Sequence, residues 1–230
     1  MVVKAGERIP IARLLQFLEH GERVAHDCAR GQAALAPEAG MRRFLLRQAR
    51  QEYYHALLFQ GAIAWLAPRH AGPCPALPPL ESYRVLLEGA LRRGDFIETI
   101  LAEQIILEGL GEAILSRIEE GLVIRNAPFA RLRRILLHQE EAHHGFGRRI
   151  VDRAIAAGVV SVDVLRARAQ EYVSLADAMV AGVADLFESI DEDPCVYVSK
   201  AKGNLPSWLS ENKPSVFSRH PPPSHREAES

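Results

Sequence analysis

The sequence predicts an all-α protein built around a bundle of four long helices. Apolar residues recur at helical spacing in four long segments, 11–35, 41–66, 95–120 and 128–157. No segment shows the sustained alternation of apolar and polar residues that marks a half-buried strand. Proline or glycine separates the segments, and the short connections between them favour antiparallel neighbours.

The first two helices are delimited by proline and glycine. Pro10 lies just before the first segment, where proline is a normal helix start. Pro37 and Gly40 interrupt the apolar pattern and separate the first helix from the second. The second helix ends before the proline-rich stretch 67–79. We expect that stretch to be a non-helical connector, because proline removes a backbone donor and clashes with the preceding turn.

Capping residues delimit the remaining helices. A short helix is expected over 80–92. Asp95 and Glu98 have the spacing of a capping box, with aspartate in place of the usual serine or threonine, and they begin the third long helix. The fourth long helix ends at a glycine, and Ser161 caps a last helix over 162–189.

The C-terminal end differs in composition from the rest of the chain. From about residue 191 the sequence is rich in proline, serine, aspartate and lysine, a composition that buries little apolar surface. We therefore expect a helical bundle over residues 1–190 and an extended tail over 191–230, mostly disordered from about residue 210.

Composition and charge narrow the class of protein. The 230 residues are 48% hydrophobic and 25% charged, ordinary values for a globular chain with a sizeable core. A net charge of -1 gives no global basic field, so we do not expect a nucleic-acid partner. The three cysteines form no CxxC pair, which favours a reducing cytoplasm. No apolar run approaches the roughly 18 residues of a membrane span, and no secretory signal is evident.

The clearest candidate for chemistry is a glutamate and a histidine on an apolar helix face. Glu52 falls in the middle of the apolar stripe of the second helix, and His55 is three residues further on the same face. Glutamate is rarely buried without a partner. A Glu-x-x-His pair directed into a bundle core is the unit expected of a carboxylate-bridged dimetal site.

The same pattern recurs in the fourth long helix, where two registers are open. The pair is either Glu140 with His143 or Glu141 with His144. Glu140 and His143 lie within about 40° of the centre of the apolar face, whereas Glu141 lies on the arginine-rich side. We therefore choose Glu140 and His143.

Each of the two other long helices should supply one further carboxylate to such a site. In the first helix Glu22 lies on the apolar stripe, whereas Glu19 turns towards its edge. In the third helix Glu108 and Glu103 flank the apolar centre from opposite sides. We prefer Glu108, and Glu103 is the alternative.

The predicted set balances two divalent cations. Four glutamates in one core would be prohibitively costly without compensating charge, and two divalent metals cancel them. Two imidazoles and several carboxylates suit iron or manganese better than copper or structural zinc. The predicted metal ligands are Glu22, Glu52, His55, Glu108, Glu140 and His143.

These motifs resemble those of a known superfamily. Over about residues 11–157 the order E, ExxH, E, ExxH is similar to that of the ferritin-like diiron-carboxylate proteins. Within that superfamily four motifs resemble those of the aldehyde-deformylating oxygenases: GERVAHD (21–27), EYYHALLF (52–59), IILE (105–108) and EEAHHGFG (140–147). The demethoxyubiquinone hydroxylases share the EExxHH-like spacing.

The resemblance implies a ferritin-like four-helix bundle with additional helices that acts as a non-haem diiron oxygenase or oxidase. The implied cofactors are two iron ions (Fe2+/Fe3+) and O2, and a manganese–iron centre is the open alternative. The implied reaction is monooxygenase-type oxidation of a small, apolar organic substrate, with electrons from an external donor such as a ferredoxin or a flavoprotein reductase. A homodimer is one expected assembly. Gly109 and Gly111 would leave room for a substrate channel, with Gln104 in its lining.

Other functions compete with this one. Ferroxidase chemistry for iron storage or detoxification would use the same centre, but it would need a cage-forming surface. Hydroxylation of a tRNA or of a carrier-bound substrate would use the arginines of RLRR (131–134) and RRIVDR (148–153), although such a run is usually a solvated face. A metal-free interaction bundle is the third alternative.

Overall fold

The chain is all-α, as predicted. The computed structural model describes residues 3–69, 71–126, 129–189 and 193–210, and every regular element in these ranges is helical. The α-helices are α1 (Arg8–Leu35), α2 (Ala39–Leu66), α3 (Leu77–Arg93), α4 (Phe96–Ile100), α5 (Glu108–Ile124), α6 (Ala130–Ala156), α7 (Val162–Gly182), α8 (Ala184–Glu188), α9 (Pro194–Asn204) and α10 (Ser207–Ser210). A 3₁₀ turn (Ala5–Glu7) precedes α1, and a π-helical segment (Leu101–Leu107) joins α4 to α5.

Two helix starts illustrate how the sequence sets the boundaries. Helix α3 begins at Leu77, so the end of the expected proline-rich connector is helical. Prolines are accepted there because the first turn of a helix has unbonded N–H groups in any case. Asp95 precedes α4, and its carboxylate accepts a hydrogen bond from the Glu98 amide at 3.0 Å, which satisfies one of the free N–H groups.

The third long helix of the bundle is interrupted by the π-helical segment. The Glu108 amide donates to the Glu103 carbonyl, five residues earlier, instead of the carbonyl four residues earlier. In a regular α-helix residues five apart are rotated by about 140°. The wider π turn brings Glu103 and Glu108 closer to the same face. Both expected ligand candidates of this helix therefore point into the core.

The bundle packs around one apolar core. Helix α1 lies along α2, and α6 packs against α5 and the π-helical segment. Helices α2 and α6 make little direct contact with each other. Leu45, Ile100, Ile105 and Ile114 have no exposed surface, and burying such side chains stabilises the fold by about 1.5–3 kcal/mol each. No helix of the described ranges is both long and apolar enough to cross a membrane.

The C-terminal segment departs from the expectation of an extended tail. Residues 194–210 contain α9 and α10. Tyr197 of α9 is 1% exposed and stacks on Phe187 of α8, with the ring centroids 3.8 Å apart. The Asn204 side chain donates to the Gly109 carbonyl at 3.1 Å. The sequence 211–230, for which disorder was predicted, lies outside the described residues, and the division into bundle and tail stays a prediction.

Replacement of Tyr197 by alanine tests whether α9 belongs to the folded core. We expect Tyr197→Ala to lower the free energy of unfolding by roughly 3–5 kcal/mol, because it opens a cavity beside Phe187. Tyr54→Ala is the matched control, since Tyr54 is 56% exposed and its loss should change stability by about 0.5 kcal/mol or less. Urea denaturation measures both. Equal stability of the two variants would mean that α9 contributes nothing to the core.

Candidate metal centre

All six side chains singled out from the sequence meet at the centre of the bundle. None of them is more than 8% exposed. Helix α1 supplies Glu22, α2 supplies Glu52 and His55, α5 supplies Glu108 from its first turn, and α6 supplies Glu140 and His143. Four separate helices therefore converge on one point, which is the arrangement expected of a dimetal bundle.

The six residues form two overlapping clusters. In each cluster the potential ligand atoms lie within 4.8 Å of one another. The first cluster contains Glu22, Glu52, His55 and Glu140, and the second contains Glu52, Glu108, Glu140 and His143. Glu52 and Glu140 belong to both. Two adjacent cation sites that share two carboxylates would have this composition.

Glu52 lies between the two histidines. Its Oε2 is 3.0 Å from Nδ1 of His55, and its Oε1 is 2.8 Å from Nδ1 of His143. Glu140 approaches His55 Nδ1 at 3.0 Å through Oε1. The outer carboxylates are further away, at 3.4 Å from His55 for Glu22 and 3.7 Å from His143 for Glu108. One carboxylate thus directs one oxygen at each half of the centre.

The structure places the first register of α6 in the centre and leaves the second outside. Glu141 has a 62% exposed side chain, 3.6 Å from His138. His144 is buried, but its Nδ1 is 2.8 Å from Glu112 of α5. Glu19 of α1 is buried as well, yet Arg23 and Gln60 donate hydrogen bonds to its carboxylate. Burial by itself therefore does not identify a member of the centre.

Glu103 is a fifth buried carboxylate beside the centre. It is fully buried, and the Gln48 amide donates to Glu103 Oε1 at 3.1 Å and to Glu108 Oε1 at 2.8 Å. Its Oε2 has no hydrogen-bond partner. Of the two, only Glu108 belongs to a cluster whose potential ligand atoms lie within 4.8 Å of one another, and that cluster contains His143. Of the two alternatives that the sequence left open, the geometry favours Glu108.

Burial and crowding raise the pKa values of the outer carboxylates. Burial is the largest cause for Glu22, and repulsion by Glu140 adds to it. Burial also raises the pKa of Glu108, and the charges of Glu52 and Glu140 add to it. The pKa of Glu103 is raised in the same way, mainly by burial. These groups therefore favour their protonated forms when no cation is near.

The imidazoles compensate part of the negative charge. Burial alone would lower the pKa of His55, but the carboxylates of Glu140, Glu22 and Glu52 outweigh it and raise that pKa far above its ordinary value. Burial alone would raise the pKa of Glu52, but His143 and His55 outweigh it and hold the pKa well below the usual range. Without a metal, Glu52 thus favours its ionised form and His55 its protonated form.

The residues present fit a pair of divalent cations. Five buried atoms of the centre have no hydrogen-bond partner, although buried polar atoms normally do. They are Glu52 Oε1, Glu52 Oε2, His55 Nδ1, Glu140 Oε1 and His143 Nδ1. All five belong to the residues of the two overlapping clusters, so cations placed there would satisfy them. The donor set of carboxylate oxygen and imidazole nitrogen suits iron or manganese.

Two glutamines that the sequence analysis did not identify orient the histidines. His55 Nε2–H donates to Gln139 Oε1 at 2.8 Å, and His143 Nε2–H donates to Gln51 Oε1 at 3.0 Å. Each bond leaves Nδ1 free to face the carboxylates, which is the usual role of a partner on the second ring nitrogen. The bonds cross between α2 and α6 and show that the two helices run antiparallel.

A sequence signal for these glutamines exists. Glutamine immediately precedes the glutamate in both motifs, so each reads Gln-Glu-x-x-His. The glutamine of one motif holds the histidine of the other. The repetition could have been recognised, but only the antiparallel packing of α2 and α6 shows that the bonds are reciprocal.

The substrate channel expected from the sequence would lie beside Gly109, Gly111 and Gln104, so the neighbours of these residues are relevant. A Cβ atom on Gly109 would lie 3.7 Å from both Asn204 and His144, an ordinary van der Waals contact, so the packing of α9 and α6 against α5 does not require glycine here. A Cβ atom on Gly111 would meet nothing within 4 Å. Gln104 exchanges hydrogen bonds with Gln32 at 2.6 and 2.9 Å. A cavity does reach His143, but it lies between α2 and α6 and no α5 residue lines it.

The comparisons with known proteins agree with this architecture. No protein-family model and no curated protein matches the sequence. A solved structure of a Synechococcus protein, described as protein 19 with aldehyde deformylating oxidase activity, superimposes with a TM-score of 0.76. The two chains are 18% identical, and the match covers 91% of this chain and 92% of the other. The fold is ferritin-like. At this identity the likeness establishes the fold, and the chemistry has to be argued from the centre itself.

Metal binding should release protons. In the metal-free protein the pKa values of Glu22, Glu108 and His55 are raised, which favours their protonated forms. Metal ligands must be deprotonated, so the apparent affinity for Fe2+ should fall as the pH falls, by about tenfold per pH unit for each proton released. Anaerobic calorimetry in buffers of different ionisation enthalpy counts the protons. A pH-independent affinity would contradict the shifts.

Removal of the glutamine contacts should weaken metal binding without removing a ligand. We expect Gln139→Leu to reduce the Fe2+ affinity roughly 10–100-fold, because His55 loses the acceptor that fixes its ring. Gln51→Leu should do the same through His143. Gln16→Leu, a glutamine of α1 outside the centre, is the control. An unchanged affinity in both glutamine variants of the centre would show that the histidine orientation is set elsewhere.

Proposed function

We propose that this protein is a non-haem diiron oxygenase or oxidase that uses O2 to oxidise a small organic substrate. The observation that carries the proposal is the pair of overlapping clusters that share Glu52 and Glu140, in which five buried carboxylate and imidazole atoms face one another and make no hydrogen bond. The fold similarity to a protein with oxidase activity supports an oxidoreductase of this type.

The proposed ligand assignment follows the two clusters. Glu22 and His55 would hold one iron, Glu108 and His143 would hold the other, and Glu52 and Glu140 would lie between them. When bound, the iron pair supplies the electrons and coordination positions for activating O2. Manganese in one position is the alternative that the ligand types leave open.

The protein's own residues have three tasks in this proposal. Gln139 and Gln51 orient the histidines. The side-chain amide of Gln48 donates hydrogen bonds to the carboxylates of both Glu108 and Glu103. The apolar core around the centre excludes water, which strengthens every electrostatic interaction inside it. Together these contacts keep the ligand atoms fixed while the substrate side stays open.

The open side lies where the cavity meets His143, Gln51 and Gln139. A substrate there would lie beside His143 and the two glutamines. Electrons would come from an external donor such as a ferredoxin or a flavoprotein reductase, as the sequence resemblance implies. A ferroxidase would use the same six ligands, so substrate-dependent O2 consumption separates the two functions.

Metal analysis of the full-length protein tests the proposed ligand set. After anaerobic loading with Fe2+ we expect about two irons per chain, because two clusters of four ligands are present. Glu52→Ala should lose most of both, since Glu52 belongs to both clusters, and Glu22→Ala should lose about one. Glu108→Ala should also lose iron, whereas Glu103→Ala should keep it.

The control is Glu141→Ala, which removes an exposed glutamate of the same helix as Glu140. It should bind as much iron as the unaltered chain. Circular dichroism verifies that each variant is folded. Full iron content in Glu52→Ala, or iron that depends on Glu103 instead of Glu108, would overturn the assignment.

A further inference from the structure

An open cavity of about 470 Å³ lies between α2 and α6 and reaches one residue of the candidate centre, His143. This volume lies in the range of small-molecule binding sites. Its walls include Arg47 and Gln51 of α2 and Arg131, Arg134, Gln139 and His143 of α6. His143 is a proposed ligand, and both glutamines hold the histidines of the centre. We call this cavity the arginine cleft, and its inner end borders His143 and the two glutamines that orient the histidines.

The three arginines of the arginine cleft carry uncompensated charge. Within the described ranges Arg47, Arg131 and Arg134 form no ion pair, and Arg47 lies over the ring of Phe44 at 5.2 Å. By contrast, Arg133 on the same helix forms an ion pair with Glu119 of α5. His138, which also lines the cleft, lies 3.6 Å from the Glu141 carboxylate. The positive charge of the three guanidinium groups is thus available to a ligand.

Along α6, Arg131 and Arg134 lie well apart from His143 of the candidate centre. Arg134 and Arg131 precede His143 by nine and twelve residues. At 1.5 Å per residue these separations correspond to about 13.5 and 18 Å of helix. An anionic group near the two arginines would leave room for an extended body reaching towards Gln139 and His143. Guanidinium groups bind carboxylates and phosphates through paired hydrogen bonds.

We propose that the arginine cleft is the substrate site and that it selects a small, elongated molecule with a carboxylate or phosphate group at one end. The inference rests on the proposed function only in identifying the bound molecule as the substrate. The anion binding itself depends on the arginines and the cavity and needs no metal. It also revises the expectation of an entirely apolar substrate, because an apolar ligand would leave three cations unused.

The cavity favours a small molecule over a macromolecular partner. An acidic protein or an RNA would contact the exposed arginines from outside, but it would have no use for a passage that ends at Gln51, Gln139 and His143. A small molecule with its anionic group at the arginines and its remaining length beside Gln51 and Gln139 would use both features.

Binding of matched probes tests this inference. Octanoate and octyl phosphate carry the anionic group, and 1-octanol has the same chain without it. We expect calorimetry on the full-length protein to show binding of both anions at least about tenfold tighter than that of 1-octanol, since hydrogen bonds to charged groups contribute about 1.5–3 kcal/mol. The measurement is made on iron-loaded and metal-free protein, and the iron content is determined in parallel.

The variants locate the binding. We expect Arg131→Gln with Arg134→Gln to weaken octanoate binding by roughly tenfold or more. Arg148→Gln is the control, because it removes an exposed arginine of α6 that does not line the cavity. Equal affinity for octanoate and 1-octanol, or equal loss in the control, would overturn the inference. A double variant that binds octanoate normally but no longer binds an acidic ferredoxin or an RNA would also overturn the inference.

The two proposals can fail separately. Arginine-dependent octanoate binding by a protein that takes up no iron would preserve the anion site and contradict the diiron function. Two irons per chain with no preference for the anionic probes would preserve the diiron function and contradict the anion site.

Discussion

The whole structure depends on holding a concentration of negative charge inside an apolar bundle. The four carboxylates of the centre and Glu103 are each at most 8% exposed, so water contributes little to their solvation. Burial of unpaired charges is strongly unfavourable in free energy, whereas burial of apolar side chains is favourable. The imidazoles and glutamines compensate only part of that cost. Folding of this core and the proposed binding of cations are therefore linked, because cations would supply the positive charge that the buried carboxylates lack.

Helix geometry allows the charges to converge. A glutamate and a histidine three residues apart share one face of an α-helix, and two such helices running antiparallel bring four side chains to one level. The third long helix needs a different device. Its π-helical segment turns Glu103 and Glu108 towards the same side, and Gln48 holds both carboxylates. π-Helical turns are rare and frequently occur at functional sites.

The centre also shapes the surface above it. Helices α2 and α6 are joined by the bonds from His55 to Gln139 and from His143 to Gln51 more than by direct packing. Helices connected in this way leave space between their outer faces, and the arginine cleft occupies that space. The same glutamines therefore serve as supports for the histidines and as the inner wall of a passage. In the proposed function, access to the cleft and orientation of the histidines are consequences of one arrangement.

The sequence by itself determined the helices and the inward-facing residues. Periodicity is a local property, so it located the long helices to within a few residues and chose Glu140 over Glu141 by the apolar face of α6. It could not determine the π-helical turn, the helical residues 194–210 or the reciprocal bonds of Gln51 and Gln139, because these depend on packing between distant segments.

Charge pairing was decided only by the tertiary structure. Arg133 and Arg134 are adjacent and chemically identical, yet Arg133 pairs with Glu119 while Arg134 lines the cleft. Residues one position apart on a helix point about 100° away from each other, so their partners are set by the neighbouring helices. Periodicity selects which side chains face inward, and only the packed bundle determines what each of them meets.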